Sequence, residues 1–214
     1  NLNVTVKNFK NQLNFFHKYY NFISPLDLLN GNFTRPAAMI TFDDGIKTNF
    51  QIAIDILLQK NLASLHFLNF STIIGKFFYS GLVNYLYYKK ILKNYNYLTV
   101  PKEIVHDYLS NKDLMRNVYE FHGPFANEDD LKSFENNKLV FYGNHLYNHY
   151  NVLNISLDFF KYNYIKNKKY LENYKNYIDF FSYPFGAKNL CYNDITDKFL
   201  IENLRPKKFF YADC

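Results

Sequence analysis

The chain has no tryptophan, only two cysteines, and little glycine or proline. Cys191 and Cys214 form no CxxC pair, and two isolated thiols, one of them the last residue, define no disulfide framework. Long apolar runs are also missing. No stretch of about 18 uncharged apolar residues occurs, which excludes a transmembrane helix. Runs of five or six basic residues are absent too, so the net charge of +6 is spread along the chain. That distribution is not the footprint of a nucleic-acid-binding surface, and it better suits an anionic glycan or a phosphate-bearing lipid. The first residue is Asn rather than Met, and the opening segment lacks the pattern of a signal peptide. A sequence cut from a longer one is therefore expected, and the compartment stays open between cytoplasm and cell envelope.

What is present is a globular composition. Apolar residues make up 48% of the chain and charged residues 21%, unlike a disordered segment. At 214 residues, 1–214 fits a single domain with a sizeable core. Tyr (21) and Phe (23) are abundant alongside Asn and Lys, the mixture that an AT-rich coding sequence produces, although sugar-binding clefts also use aromatic faces.

Short apolar runs alternate with amphipathic stretches, the pattern of parallel strands joined by crossover helices. Strands are expected at 37–42 (AAMITF), 64–70, 139–142, 179–183 and 207–211. Helices are expected at 46–60, 72–95, 156–177 and 193–203. Residues 98–126 contain Pro101, Gly123 and Pro124 and read as an insertion with one helix of its own.

The chemistry-bearing residues fall where strands end. Thr41-Phe42-Asp43-Asp44-Gly45 follows the first strand, and Gly143-Asn144-His145-Leu146-Tyr147-Asn148-His149 follows another. Ser182-Tyr183-Pro184-Phe185-Gly186 follows a third. In a β/α barrel, the loops at the carboxyl ends of the strands build the active site. Alone, an Asp-Asp-Gly turn serves equally well to cap a helix, and an isolated HxxxH is weak. Together they offer more. Two adjacent carboxylates at the end of an apolar strand repel each other unless a cation offsets them. One carboxylate and two imidazoles form a facial set with open positions for a divalent metal. The second Asp is then left to take a proton from water activated by the ion.

These motifs resemble those of the polysaccharide deacetylase family, whose members share the NodB-homology domain. TFDDG is matched at Thr41 to Gly45, the H-[ST]-x-x-H motif at His145 to His149, and R-x-P-Y at Ser182 to Phe185 in the form FSYPFG. The likeness runs from about Val6 to Tyr211 and is weakest across 98–126. It implies an α/β fold, a distorted or incomplete (β/α) barrel of the NodB-homology type. It further implies that Asp44, His145 and His149 bind a divalent metal, most often Zn²⁺, and that Asp43 is the general base. Tyr183, Pro184 and Phe185 would line the substrate site, with a backbone N–H near Phe185 stabilising the oxyanion. The implied reaction is removal of N-acetyl groups from a bacterial surface polysaccharide or its precursor. A formyl group is not excluded by the ligand set.

The sequence departs from the family pattern at four points. Leu146 stands where Ser or Thr braces the histidine loop, Ser182 where many members carry Arg, and Phe185 where Tyr is usual. The late Leu-x-His motif, whose His protonates the leaving amine, has no counterpart, because the histidines are His17, His66, His106, His122, His145 and His149. Two explanations are open. Either the sequence stops before the last barrel elements, or the protein is a slow or inert carbohydrate-binding relative. His66 reads as a core residue, and His106 and His122 fall in the insertion.

Overall fold

The computed structural model describes residues 4–92 and 107–211. Five parallel strands form its centre: β3 (Ile40–Phe42), β4 (Ser64–Leu68), β5 (Val140–Asn144), β6 (Tyr177–Ser182) and β7 (Lys208–Phe210), in that spatial order. The sheet curls into an open half-barrel rather than closing. Strand order follows chain order, so every connection is a crossover and all carboxyl ends lie along one rim.

β4 and β5 are buried at every position, as expected of parallel strands covered on both faces. On one face Leu65, Phe67, Phe141, Ile178 and Phe180 pack with Leu28 and Leu29 of α2 (Pro25–Asn30). On the other, Leu68, Val140 and Tyr142 meet Phe50 and Ile54 from the crossover that includes α3 (Ile54–Gln59). The same cluster takes in Leu131 of α7 (Glu128–Phe134) and Leu171 of α8 (Leu157–Leu171). Tyr142 also donates its hydroxyl to the Leu131 carbonyl at 2.7 Å, which satisfies the one polar atom this ring brings into the core.

Several expectations needed correction. The run 37–42 is not one strand. Ala37–Ala38 (β2) pairs with Asn21–Phe22 (β1) in a separate two-stranded sheet, and the chain changes partner at Met39 before β3 joins β4. The helix expected over 72–95 is broken at Gly75 into α4 (Phe70–Ile73) and α5 (Tyr79–Tyr88), with residues 93–95 outside the described range. Gly75 takes φ +76°, which ends the helix there. Helices α1 (Val6–Phe16), α2 and α7 were not anticipated. α2 and α7 are each opened by a reciprocal capping box, Ser24 with Asp27 and Asn127 with Asp130. α6 (Lys112–His122) lies within the stretch read as an insertion. Beyond β6, α9 (Asp194–Phe199) continues into a wider turn before β7. Among the described residues no helix is long and apolar enough to cross a membrane.

Candidate metal centre

Three loops leaving the rim each contain a non-glycine residue at positive φ: Asp44 (+67°), Leu146 (+64°) and Phe185 (+66°). Asp tolerates this region, but for Leu and Phe it carries strain that their surroundings must offset. Leu146 is fully buried among Val152, Phe160 and Tyr164, which supplies that offset.

The Asp-Asp-Gly turn is short and crowded. Gly45 donates its N–H to the Asp43 carbonyl at 2.9 Å and sits at φ +72°. A Cβ there would lie 3.1 Å from Ile73 and 3.2 Å from Leu68, so the turn favours glycine by conformation, and a larger residue would also push both neighbours aside by a few tenths of an ångström. Backbone bonds from Lys47 to Pro124 and from Ala126 to Gly45 tie the turn to the end of the insertion.

The histidine loop is held by buried amides. Asn167, with no exposed surface, accepts from the Phe70 N–H (2.8 Å) and donates to the Leu68 carbonyl (2.7 Å) and to Asn144 Oδ1 (2.8 Å). Asn144 Oδ1 in turn accepts from the Leu146 N–H at 2.9 Å. Asn69 donates to the carbonyls of His145 and Leu146, and Asn163 accepts from Asn148. Sequence reasoning missed these asparagines, and in a chain rich in Asn only the position of Asn69 and Asn144 at strand ends marks them.

The loops bring Asp44, His145 and His149 together, with one ligand atom from each within 4.8 Å of the others. His145 Nε2 and His149 Nε2 lie 3.7 and 3.4 Å from Asp44 Oδ1. The ring tautomers follow from bonding partners. His145 Nδ1 is 2.8 Å from the Ser182 carbonyl, which can only accept, so Nδ1 carries a proton and Nε2 is the ring nitrogen that faces Asp44. His149 Nδ1 is 3.1 Å from the Ser80 hydroxyl.

Asp44 keeps a quarter of its side-chain surface exposed (27%), yet its Oδ1 is enclosed and has no hydrogen-bond partner. Burial pushes this carboxyl up to about 6, with His145 opposing and Asp43 adding to the rise. Burial, then the neighbouring His145, pushes His149 well below its ordinary range and keeps it neutral. An enclosed acceptor beside two imidazole nitrogens, with no donor bonded to it, is a donor set suited to a divalent cation. Such an ion would offset the burial cost of the carboxylate and hold both imidazoles neutral. Asp43, half exposed, points its Oδ2 to 4.0 Å from His145 Nε2.

The third motif divides. The Phe185 ring is half-buried and meets the His149 ring edge-on at 4.4 Å. Tyr183 is only 2% exposed and stacks on Tyr192 at 4.8 Å, and Pro184 is also buried. Phe185 is thus the most exposed of the three. Ser182 contributes its carbonyl to His145. His66 stacks on Phe42 at 5.0 Å inside the sheet. His122 is bonded through Nε2 to the Gly81 carbonyl at 3.0 Å. His106 lies outside the described residues.

IcaB from Ammonifex degensii matches with a TM-score of 0.56 and 16% identity, over 96% of this chain and 74% of that one. The two chains share one fold. The BpsB deacetylase domain from Bordetella bronchiseptica matches with a TM-score of 0.55 and 15% identity, over 90% of this chain and 73% of that one. The Streptococcus pyogenes deacetylase PplD aligns at 19% identity and a TM-score of 0.48, over 89% of this chain, which spans 65% of the length of that one. No protein-family model matches the sequence, and no curated protein matches it significantly.

Proposed function

We propose that this chain is a metal-dependent hydrolase that removes N-acetyl groups from a bacterial surface polysaccharide or its precursor. The observation that carries this reading is the convergence of three ligand atoms, one each from Asp44, His145 and His149, beside the Asp43 carboxyl group. The polysaccharide-deacetylase fold supports the choice of substrate class.

Asp44, His145 and His149 would hold the ion, and a borderline-soft N/O set of this kind suits zinc. When bound, such an ion lowers the pKa of water toward neutrality and polarises a carbonyl. The chain's own residues supply the remainder. Asp43 takes the proton of the attacking water as its oxygen adds to the acetamide carbon. The C–N bond then breaks, the proton passes to the departing amine, and acetate is left. The Phe185 ring, packed on His149, forms an apolar wall suited to the acetyl methyl.

A second reading, a carbohydrate-binding relative with little turnover, draws on His122. Its Nε2 is committed to Gly81, and the Phe78 ring packs against both His122 and His149, so this imidazole is not placed to protonate the amine. Acetate release from N-acetylated oligosaccharides separates the two. Zinc-loaded protein should release acetate, and Asp43→Asn should lower the rate about 10²–10⁴-fold with metal content unchanged. Zinc-loaded protein that binds glycan without releasing acetate would leave the binding reading standing. Protein that takes up no metal would end the hydrolase reading.

A further inference from the structure

The metal ligands come from the rim of the sheet, but one bond to them does not. Ser80, the second residue of α5, is 6% exposed and lies on the long crossover between β4 and β5. Its hydroxyl is 2.7 Å from the His149 carbonyl and 3.1 Å from His149 Nδ1. A carbonyl only accepts, so the single hydroxyl proton is spent on it. The Ser80 oxygen is then left to accept, and the partner it accepts from is the imidazole N–H. A neutral imidazole carries one such proton. Placing it on Nδ1 leaves the Nε2 lone pair directed at Asp44 Oδ1, 3.4 Å away.

The segment around Ser80 is itself clamped. The His122 ring bonds the Gly81 carbonyl, and a Cβ on Gly81 would come within 2.8 Å of Phe78 and 2.9 Å of His122. Phe78 lies edge-on to the His149 ring at 5.5 Å. Phe78, Ser80, Gly81 and His122 thus form one packed unit against the outer side of His149.

We propose that Ser80 is a positioning residue that fixes His149 in its Nδ1–H tautomer and so presents Nε2 as a ligand. The crossover is then a working part of the centre. This rests on the metal reading given above, and the residue acts through His149, touching neither metal nor substrate.

The test uses metal-free protein first. Two-bond ¹H–¹⁵N spectra, with His149 assigned by comparison with His149→Ala, should show the Nδ1–H form in the unsubstituted chain. Ser80→Ala should populate both tautomers and weaken zinc binding about 10–100-fold in a chelator competition. Ser80→Thr, which keeps the hydroxyl, should restore both readouts. A purely structural serine would lower thermal stability in the Ala variant without moving either one. An Nε2–H form in the unsubstituted protein overturns the proposal, even if Ser80→Ala fails to fold. Unchanged zinc affinity and tautomer in a folded Ser80→Ala protein overturns it as well. Failure of the unsubstituted chain to bind zinc would sink the metal reading separately, while the metal-free spectra still decide what Ser80 does.

Discussion

The Ser182 carbonyl accepts from His145 Nδ1 at 2.8 Å, so this residue reaches the centre through its main chain. The side chain that distinguishes Ser182 from the Arg of the family motif takes no part in that bond. Ser182→Ala should therefore leave zinc affinity within about threefold of the unsubstituted protein, a difference well under 1.4 kcal/mol. Calorimetric titration of the two proteins checks this. A tenfold loss would mean that the hydroxyl itself orients the ring.

Asp44 carries the opposite expectation, that a disabling change stabilises. Its folded value of about 6 lies above the ordinary 3.8, so the metal-free fold binds its proton more tightly than the unfolded chain does. The associated stability is fully present below about pH 3.8 and is lost as pH rises through about 6. Asp44→Asn removes that loss. The amide also tolerates positive φ, and its N–H groups can donate to the two Nε2 lone pairs. At pH 7 the metal-free variant should be more stable by about 1–3 kcal/mol, seen as a midpoint raised by several degrees in thermal melts. Zinc should stabilise the original protein and leave the variant unmoved.

Asn167 makes three buried bonds that join α8 to the ends of β4 and β5. Asn167→Ala would leave the buried Phe70 N–H without its acceptor, while the Leu68 carbonyl keeps the His145 N–H and Asn144 Oδ1 keeps the Leu146 N–H. An unpartnered buried N–H of this kind costs about 1–3 kcal/mol. A loss of about 1–3 kcal/mol in denaturant melts is expected, together with weaker zinc binding as Leu146 loses the scaffold that holds its backbone. A change below about 1 kcal/mol would show that water replaces the amide readily.

The parts of this site that were legible in the sequence are those where chemistry and strand ends coincide. Asp43, Asp44, His145 and His149 stand directly after short apolar runs, and parallel strands bring such positions to one rim. The bracing was not legible. Ser80 lies far along the chain from His149, with no periodicity or motif to connect them. Asn163 and Asn167, two of the chain's many asparagines, lie on an amphipathic helix, and only the packed structure shows them fully buried. Nor does the third motif show in sequence that the Tyr183 ring is buried against Phe181 and Tyr192. The split of 37–42 into β2 and β3 escaped for a similar reason. An unbroken apolar run records burial, and carries no sign of the partner change at Met39.

His66 provides the last expectation, in acid. Its ring is buried in the sheet, stacked at 5.0 Å on Phe42 and 5.0 Å from Phe50, with Nε2 3.0 Å from the Ser64 hydroxyl. Burial alone holds its folded value near 3, far below the ordinary 6.5. The unfolded chain therefore binds a proton that the folded one refuses. Stability from this group is fully present above about pH 6.5 and falls as the pH drops toward 3, at up to about 1.4 kcal/mol per pH unit. Asp44 contributes the reverse slope between about pH 3.8 and 6, so the unsubstituted protein reports only a sum. The difference between that protein and His66→Phe isolates the histidine. A phenyl ring keeps the stacking and has nothing to protonate, so the advantage of the variant should grow steadily as pH is lowered from 6.5 to 4. Parallel curves over that range would mean that the sheet opens to admit water at His66 without unfolding.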